Sequence, residues 1–143
     1  MRKTILITGA GTGIGKDAAK RLAARGHKVY ATTCADSEVP ALQADLGSGA
    51  HAFKLDITAA EDRAQIVIRG MIARGGGTVI FMSSITGRVP EPFVMPYSMT
   101  KFAISAAAAG LREKMKLLDK GIHVSVVEPG PYNTGFNQKL ESS

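Results

Sequence analysis

One cysteine, Cys34, stands in the 143 residues, so no internal disulfide framework is possible and a reducing, cytoplasmic setting is expected. Aromatic residues make up only 6% and tryptophan is absent. No apolar run approaches the ~20 residues of a membrane span, which argues against a membrane partner. Met1-Arg2-Lys3 leads straight into an apolar run, so no cleaved signal is expected. Acid is the scarcer charge: 12 Asp and Glu against 18 Lys and Arg, for a net +6. That surplus attracts anions. The basic residues are dispersed, however, with no dense run and no aromatic interleaving. They read as a solvated surface rather than a nucleic-acid face, and a phosphate-bearing ligand would take up some of the charge. No metal site and no internal repeat are expected. A hydrophobic content of 45% is enough for one domain, residues 1–143, with a real core.

What is there begins at once. Thr4-Ile5-Leu6-Ile7-Thr8 is a short apolar run that predicts a buried parallel strand. Gly9-Ala10-Gly11-Thr12-Gly13-Ile14-Gly15 follows, and then an amphipathic helix from about Ile14 to Arg25. Strand, glycine turn and helix together form a cradle for a pyrophosphate. Gly9 permits the tight turn, Gly13 lets the backbone approach the phosphates, and Gly15 lets helix and strand pack closely. The helix N-terminus adds unpaired N–H groups and partial positive charge.

The rest alternates in the same way. Strands are predicted at Lys28 to Thr32, Ala50 to Leu55, Thr78 to Met82 and His123 to Val127. Helices are predicted at Val39 to Leu46, Ala59 to Arg74 and Tyr97 to Leu118, the second opened by a Thr58/Glu61 capping box. A loop from Ser83 to Pro96 is broken by Pro90, Pro92 and Pro96. This pattern predicts an α/β fold, a parallel sheet with helices on both faces and ligands beyond the carboxyl ends of the strands. From Phe102 to Leu111 the last helix is apolar or alanine nearly all round, which suggests a partner subunit over its outer face.

The chemistry-bearing residues fall at those carboxyl ends: the glycine turn, Asp56, Ser83-Ser84, Pro129-Gly130, and Tyr97-Ser98-Met99-Thr100-Lys101 opening the long helix. Tyr97 and Lys101 are four apart and share a helix face. An ammonium beside a phenol favours the phenolate, and a phenol tuned in this way gives or takes a proton at a carbonyl or alcohol oxygen. A nearby serine hydroxyl can hydrogen-bond the same oxygen.

Together these motifs resemble the short-chain dehydrogenase/reductase family, in order, from Thr4 to about Thr134. The stretch Thr8 to Gly15 is similar to its cofactor motif, with Gly9, Gly11, Thr12, Gly13, Ile14 and Gly15 as cofactor-binding candidates. Asp56, in Leu55-Asp56-Ile57-Thr58, resembles the acid that contacts adenine, with Ile57 beside it. Ser84 precedes Tyr97 by thirteen positions, the family's spacing. Pro129-Gly130, with Thr134 beyond, resembles the stretch that closes over the nicotinamide. The resemblance implies a Rossmann-type fold and reversible hydride transfer between NAD(P)H and a small or medium carbonyl/alcohol pair. Tyr97 would be the general acid/base and Ser84 would polarise the carbonyl. Lys101 would hold the nicotinamide ribose and favour the phenolate of Tyr97. Ser83 would be structural. A homo-oligomer through Tyr97 to Leu118 is also implied.

The pattern departs from the family in two ways. The Asn-Asn-Ala-Gly strand and the following helix with its asparagine have no counterpart, and the first asparagine in the chain is Asn133. The junction falls near Gln65-Ile66-Val67. The C-terminal strand of the family sheet is missing too. Either one central helix–strand unit is deleted, so that the serine strand moves beside the first strand, or the residues are stretches of a longer chain. The exposed edges that a missing central strand leaves favour the second. A deletion favours a catalytically inactive dinucleotide-binding remnant as the alternative function. Strand two ends in Ala31-Thr32-Thr33-Cys34, without the acid that suits the ribose of NAD, which leans toward NADP; Lys16 or Arg25 would add charge at a distance.

Overall fold

The computed structural model describes residues 2–55 and 63–131. Five strands and four helices alternate: β1 (Thr4–Ile7), α1 (Gly13–Ala24), β2 (Lys28–Thr33), α2 (Val39–Leu46), β3 (Ala50–Lys54), α3 (Arg63–Ala73), β4 (Gly77–Met82), α4 (Met95–Leu118) and β5 (Ile122–Val127). Single 3-10 turns lie at Asp36–Glu38 and Ile85–Gly87. The strands form one parallel sheet in the order β3-β2-β1-β4-β5.

Apolar alternation along the strands separates two cores. Ile5, Ile7, Val29 and Ala31 point to one face, where they meet Ala19 of α1 and Leu42 and Leu46 of α2. Leu6, Val79, Phe81 and Val124 point to the other, against Met71 of α3 and Ala108 and Met115 of α4. Ile7, Val29 and Met71 are wholly buried; each such side chain contributes roughly 1.5–3 kcal/mol. Helices therefore cover both faces, as the alternation predicts.

Most boundaries fall within a residue or two of the expected ones, and α2 occupies the predicted residues. α4 starts earlier than expected, at Met95, with Pro96 in its first turn. The first-turn N–H groups have no helical acceptor, so a proline is tolerated there and the helix runs through it. The proposed Thr58/Glu61 capping box lies outside the described residues. On α4, Phe102, Ala103, Ala106, Ala107 and Gly110 are exposed, so nothing among the described residues covers its apolar outer face.

β4 pairs directly with β1, with Ile5, Leu6 and Ile7 opposite Thr78, Val79 and Ile80. The serine strand thus fills the slot beside the first strand, as the deletion reading anticipates. Among the described strands every interior one is paired on both sides.

Candidate active site

The glycine turn leaves the carboxyl end of β1 under tight backbone constraints. Gly9 and Gly13 have φ of +65° and +58°, the left-handed region that a side chain disfavours. A Cβ on Gly15 would stand 2.5 Å from the carbonyl oxygen of Gly9, so helix and turn meet backbone to backbone. A Cβ on Gly11 would stand 2.7 Å from Thr33 Oγ1 and 2.8 Å from Glu38 Oε2. Thr12 is the N-cap of α1, extended, and its side chain does not cap the helix. The first turn of α1 carries no acid, so its N–H groups and dipole face outward without a built-in competitor. Ile14 packs onto the core of this face. The cradle thus fits a pyrophosphate: small, positively polarised, and closed to any side chain at Gly15.

Ser84 ends β4. It is buried, and its Oγ accepts from the Thr86 N–H (3.3 Å), capping the Ile85–Gly87 turn. That turn is pressed against α4: a Cβ on Gly87 would stand 2.9 Å from the Lys101 carbonyl oxygen. The Ile85 N–H donates to the Pro129 carbonyl (3.0 Å) and the Ser83 N–H to that of Val127 (2.8 Å). One turn therefore gathers Ser84, the Lys101 backbone and Pro129. Gly130 beside it is exposed. Asp56, Ile57 and Thr134 lie outside the described residues.

Tyr97 and Lys101 lie one helical turn apart on α4, with Lys101 Nζ 5.3 Å from the centroid of the Tyr97 ring. The same ammonium donates to the Met82 carbonyl (3.4 Å). Burial holds the Lys101 pKa below the ordinary lysine value, and the neighbouring Cys34 opposes this in part. None of the ion pairs among the described residues involves Lys101.

Ser83 is taken up by structure. Its Oγ donates to the Lys101 carbonyl (3.1 Å) and meets Ser105 Oγ at 2.9 Å. Ser105 donates on to Glu128 (3.0 Å), which Arg88 grips at 2.5 Å. This chain fastens the ends of β4 and β5 to α4. The sequence offers no signal for it, because its members are far apart and none belongs to a periodic pattern. Glu38 is another residue that sequence reasoning missed. Its carboxylate folds back from the first 3-10 turn to accept a close hydrogen bond from Thr33 at the end of β2.

The model of the family described as short chain dehydrogenase matches residues 3–67 and 62–143, overlapping at the junction expected near residues 65–67. This chain belongs to that family. Among relatives of this chain, the uncharacterized oxidoreductase YbbO of Escherichia coli (strain K12) is 30% identical over 91 residues, 64% of this chain and 33% of that protein. Human 17-beta-hydroxysteroid dehydrogenase type 1 is 33% identical over 100 residues, 68% of this chain and 30% of that one. The chain thus spans about a third of the length of these curated relatives. An NAD+-bound xylitol dehydrogenase superposes with a TM-score of 0.75 at 19% identity, covering 97% of this chain and 74% of that one. That likeness establishes the Rossmann-type fold. No helix among the described residues is long and apolar enough to cross a membrane.

Proposed function

We propose that this chain is an NAD(P)-dependent oxidoreductase acting on a small or medium carbonyl/secondary-alcohol pair, with Tyr97 as general acid/base. The observation that carries the reading is the convergence of Ser84, Tyr97, Lys101 and Pro129 at the strand ends that also carry the glycine turn. The dinucleotide supplies or accepts the hydride when bound. Gly9, Gly11, Thr12, Gly13, Ile14 and Gly15 form its cradle, and Pro129 and Gly130 flank the far side of the site. Ser84 hydrogen-bonds the substrate oxygen, and Tyr97 holds and moves the proton at that oxygen. Lys101 places a positive charge beside the phenol.

Glu38 bears on the choice of cofactor. Strand two lacks the acid, but Glu38 brings a carboxylate to the same edge, against Gly11 and Thr33. Lys16 is paired with Asp45, and Arg25 lies at the far end of α1. A 2′-phosphate would meet the carboxylate and no unpaired cation from these two, which supports NAD over NADP. The exposed outer face of α4 supports a homo-oligomer formed through that helix, in a reducing, cytoplasmic compartment.

The alternative is a dinucleotide-binding protein without turnover, and one observation favours it. β4 sits beside β1, so Ser84 and Tyr97 are drawn toward the glycine turn by about one strand spacing, ~4.8 Å. Displacements of about 1 Å already cost ~100-fold in rate. The test is turnover of NADH and NADPH against a panel of ketones and alcohols. Turnover that falls about 100-fold or more in Tyr97→Phe supports the oxidoreductase. Cofactor binding without turnover supports the alternative.

A further inference from the structure

The position of Lys101 relative to the glycine turn has its own chemical meaning. Its ammonium donates to the Met82 carbonyl at 3.4 Å. Met82 borders the turn directly. Its N–H donates to Thr8 Oγ1 (3.2 Å), and a Cβ on Gly9 would stand 3.4 Å from Met82 Cβ and 4.0 Å from Met82 O. The ammonium and Gly9 thus flank the same carbonyl oxygen. This adjacency follows from the pairing of β4 with β1. A strand between them would hold the ammonium about 4.8 Å further away.

The charges around it are uneven. Lys101 is partly buried, yet its partners are a backbone carbonyl and the face of a tyrosine ring. Among the described acids near these strand ends, Glu38 is bonded to Thr33, Asp36 to Lys54, and Glu128 to Arg88 and Ser105. Lys16, in the first turn of α1, is bound by Asp45. Among the described residues Lys101 has no carboxylate partner, and a desolvated cation in that position is costly unless a ligand completes it. The turn alongside, with its outward N–H groups and acid-free helix start, receives anions.

We propose that Lys101 pairs with the diphosphate of a nucleotide held at the glycine turn, rather than with the sugar beyond it. The proposal rests on the reading of that turn as a dinucleotide site. The ligand class is a nucleoside diphosphate, free or as the adenylate half of a dinucleotide. Burial depresses the ammonium's pKa, and a bound diphosphate would raise it again.

The experiment is isothermal titration of the intact chain with ADP, AMP and NADH, for wild type, Lys101→Met and Lys101→Arg. ADP carries the diphosphate but not the second sugar. The expected result is an ADP affinity at least about tenfold weaker in Lys101→Met, about threefold or less weaker in Lys101→Arg, and a smaller change for AMP. ADP affinity unchanged in Lys101→Met, with NADH weakened, overturns the proposal and leaves the dinucleotide reading standing. Wild-type protein that binds neither ADP nor NADH overturns both. A measurement on wild type alone covers the case of a variant that does not fold: amine-directed labelling of Lys101, read by peptide mass spectrometry. Protection by ADP but not by adenosine is expected, and equal labelling with the two overturns the proposal.

Discussion

The two halves of the sheet are built to different standards. From β1 to β3, α1 and α2 close one face completely: Ile7, Val29 and Ala31 are wholly buried. From β4 to β5 the helices lie on the opposite face. Along β5, Ile122 and Val124 are buried while His123, Ser125 and Val127 are exposed, and no helix among the described residues covers them. On the other side of the sheet, α4 leaves Met99 and Phe102 at 65% and 42% exposure. The half that carries the glycine turn is closed by its own helices. The half that carries Tyr97 and Ser84 is only partly enclosed by the described residues, and the proposed chemistry there depends on what else covers it.

That contrast is open to attack in order of expected effect. Tyr97→Phe removes the proposed proton-transferring group without touching the amino half; turnover should fall about 100-fold or more, with NADH affinity kept within about threefold. Should affinity fall in step with turnover, the two halves are not separable. Met71→Ala opens a cavity beneath β4, since Met71 is wholly buried and lies against Gly77. Urea unfolding should show a loss of about 2–5 kcal/mol. Gly15→Val strikes the completed half, because the added side chain meets the Gly9 carbonyl. It should cost about 1–3 kcal/mol and abolish nucleotide binding.

Phe102→Lys probes the uncovered face. Unfolding of the monomer should change by no more than about 0.5 kcal/mol, while sedimentation should show fewer oligomers if copies meet there. The smallest effect is electrostatic. The Lys101 pKa lies below its ordinary 10.5 in the folded state. Between the two values the unfolded chain binds more protons, so this residue's contribution to stability rises with pH through that window. Lys101→Met should therefore melt slightly higher than wild type at neutral pH, and the gap should narrow as pH approaches 10.5. Melting curves across that range read it directly.

Much of the architecture could be read from local pattern. The run Thr4 to Ile7, the glycine stops and the apolar spacing of α1 and α2 each announce themselves within a few residues. Three features could not be read in that way. Pro96 resembles a helix breaker, yet sits where a helix accepts it. Glu38 meets Gly11 only because a 3-10 turn folds its side chain back over β2, a contact between residues far apart in sequence. The neighbour of β1 depends on which strand fills a slot, and both possibilities have the same local sequence. For the same reason the sequence names candidate site residues but not the distances between them.

The pairing of β4 with β1 makes the sheet a ruler whose graduations are strands. Every residue after the junction keeps its spacing to its neighbours in sequence, from Ser84 to Tyr97 to Lys101 to Pro129, and moves as a block when a graduation is removed. The motif survives intact while its distance to the turn at the other end of the ruler changes. A count of residues and a count of strands therefore measure two different lengths, and only the second sets where the Lys101 ammonium stands relative to the glycine turn.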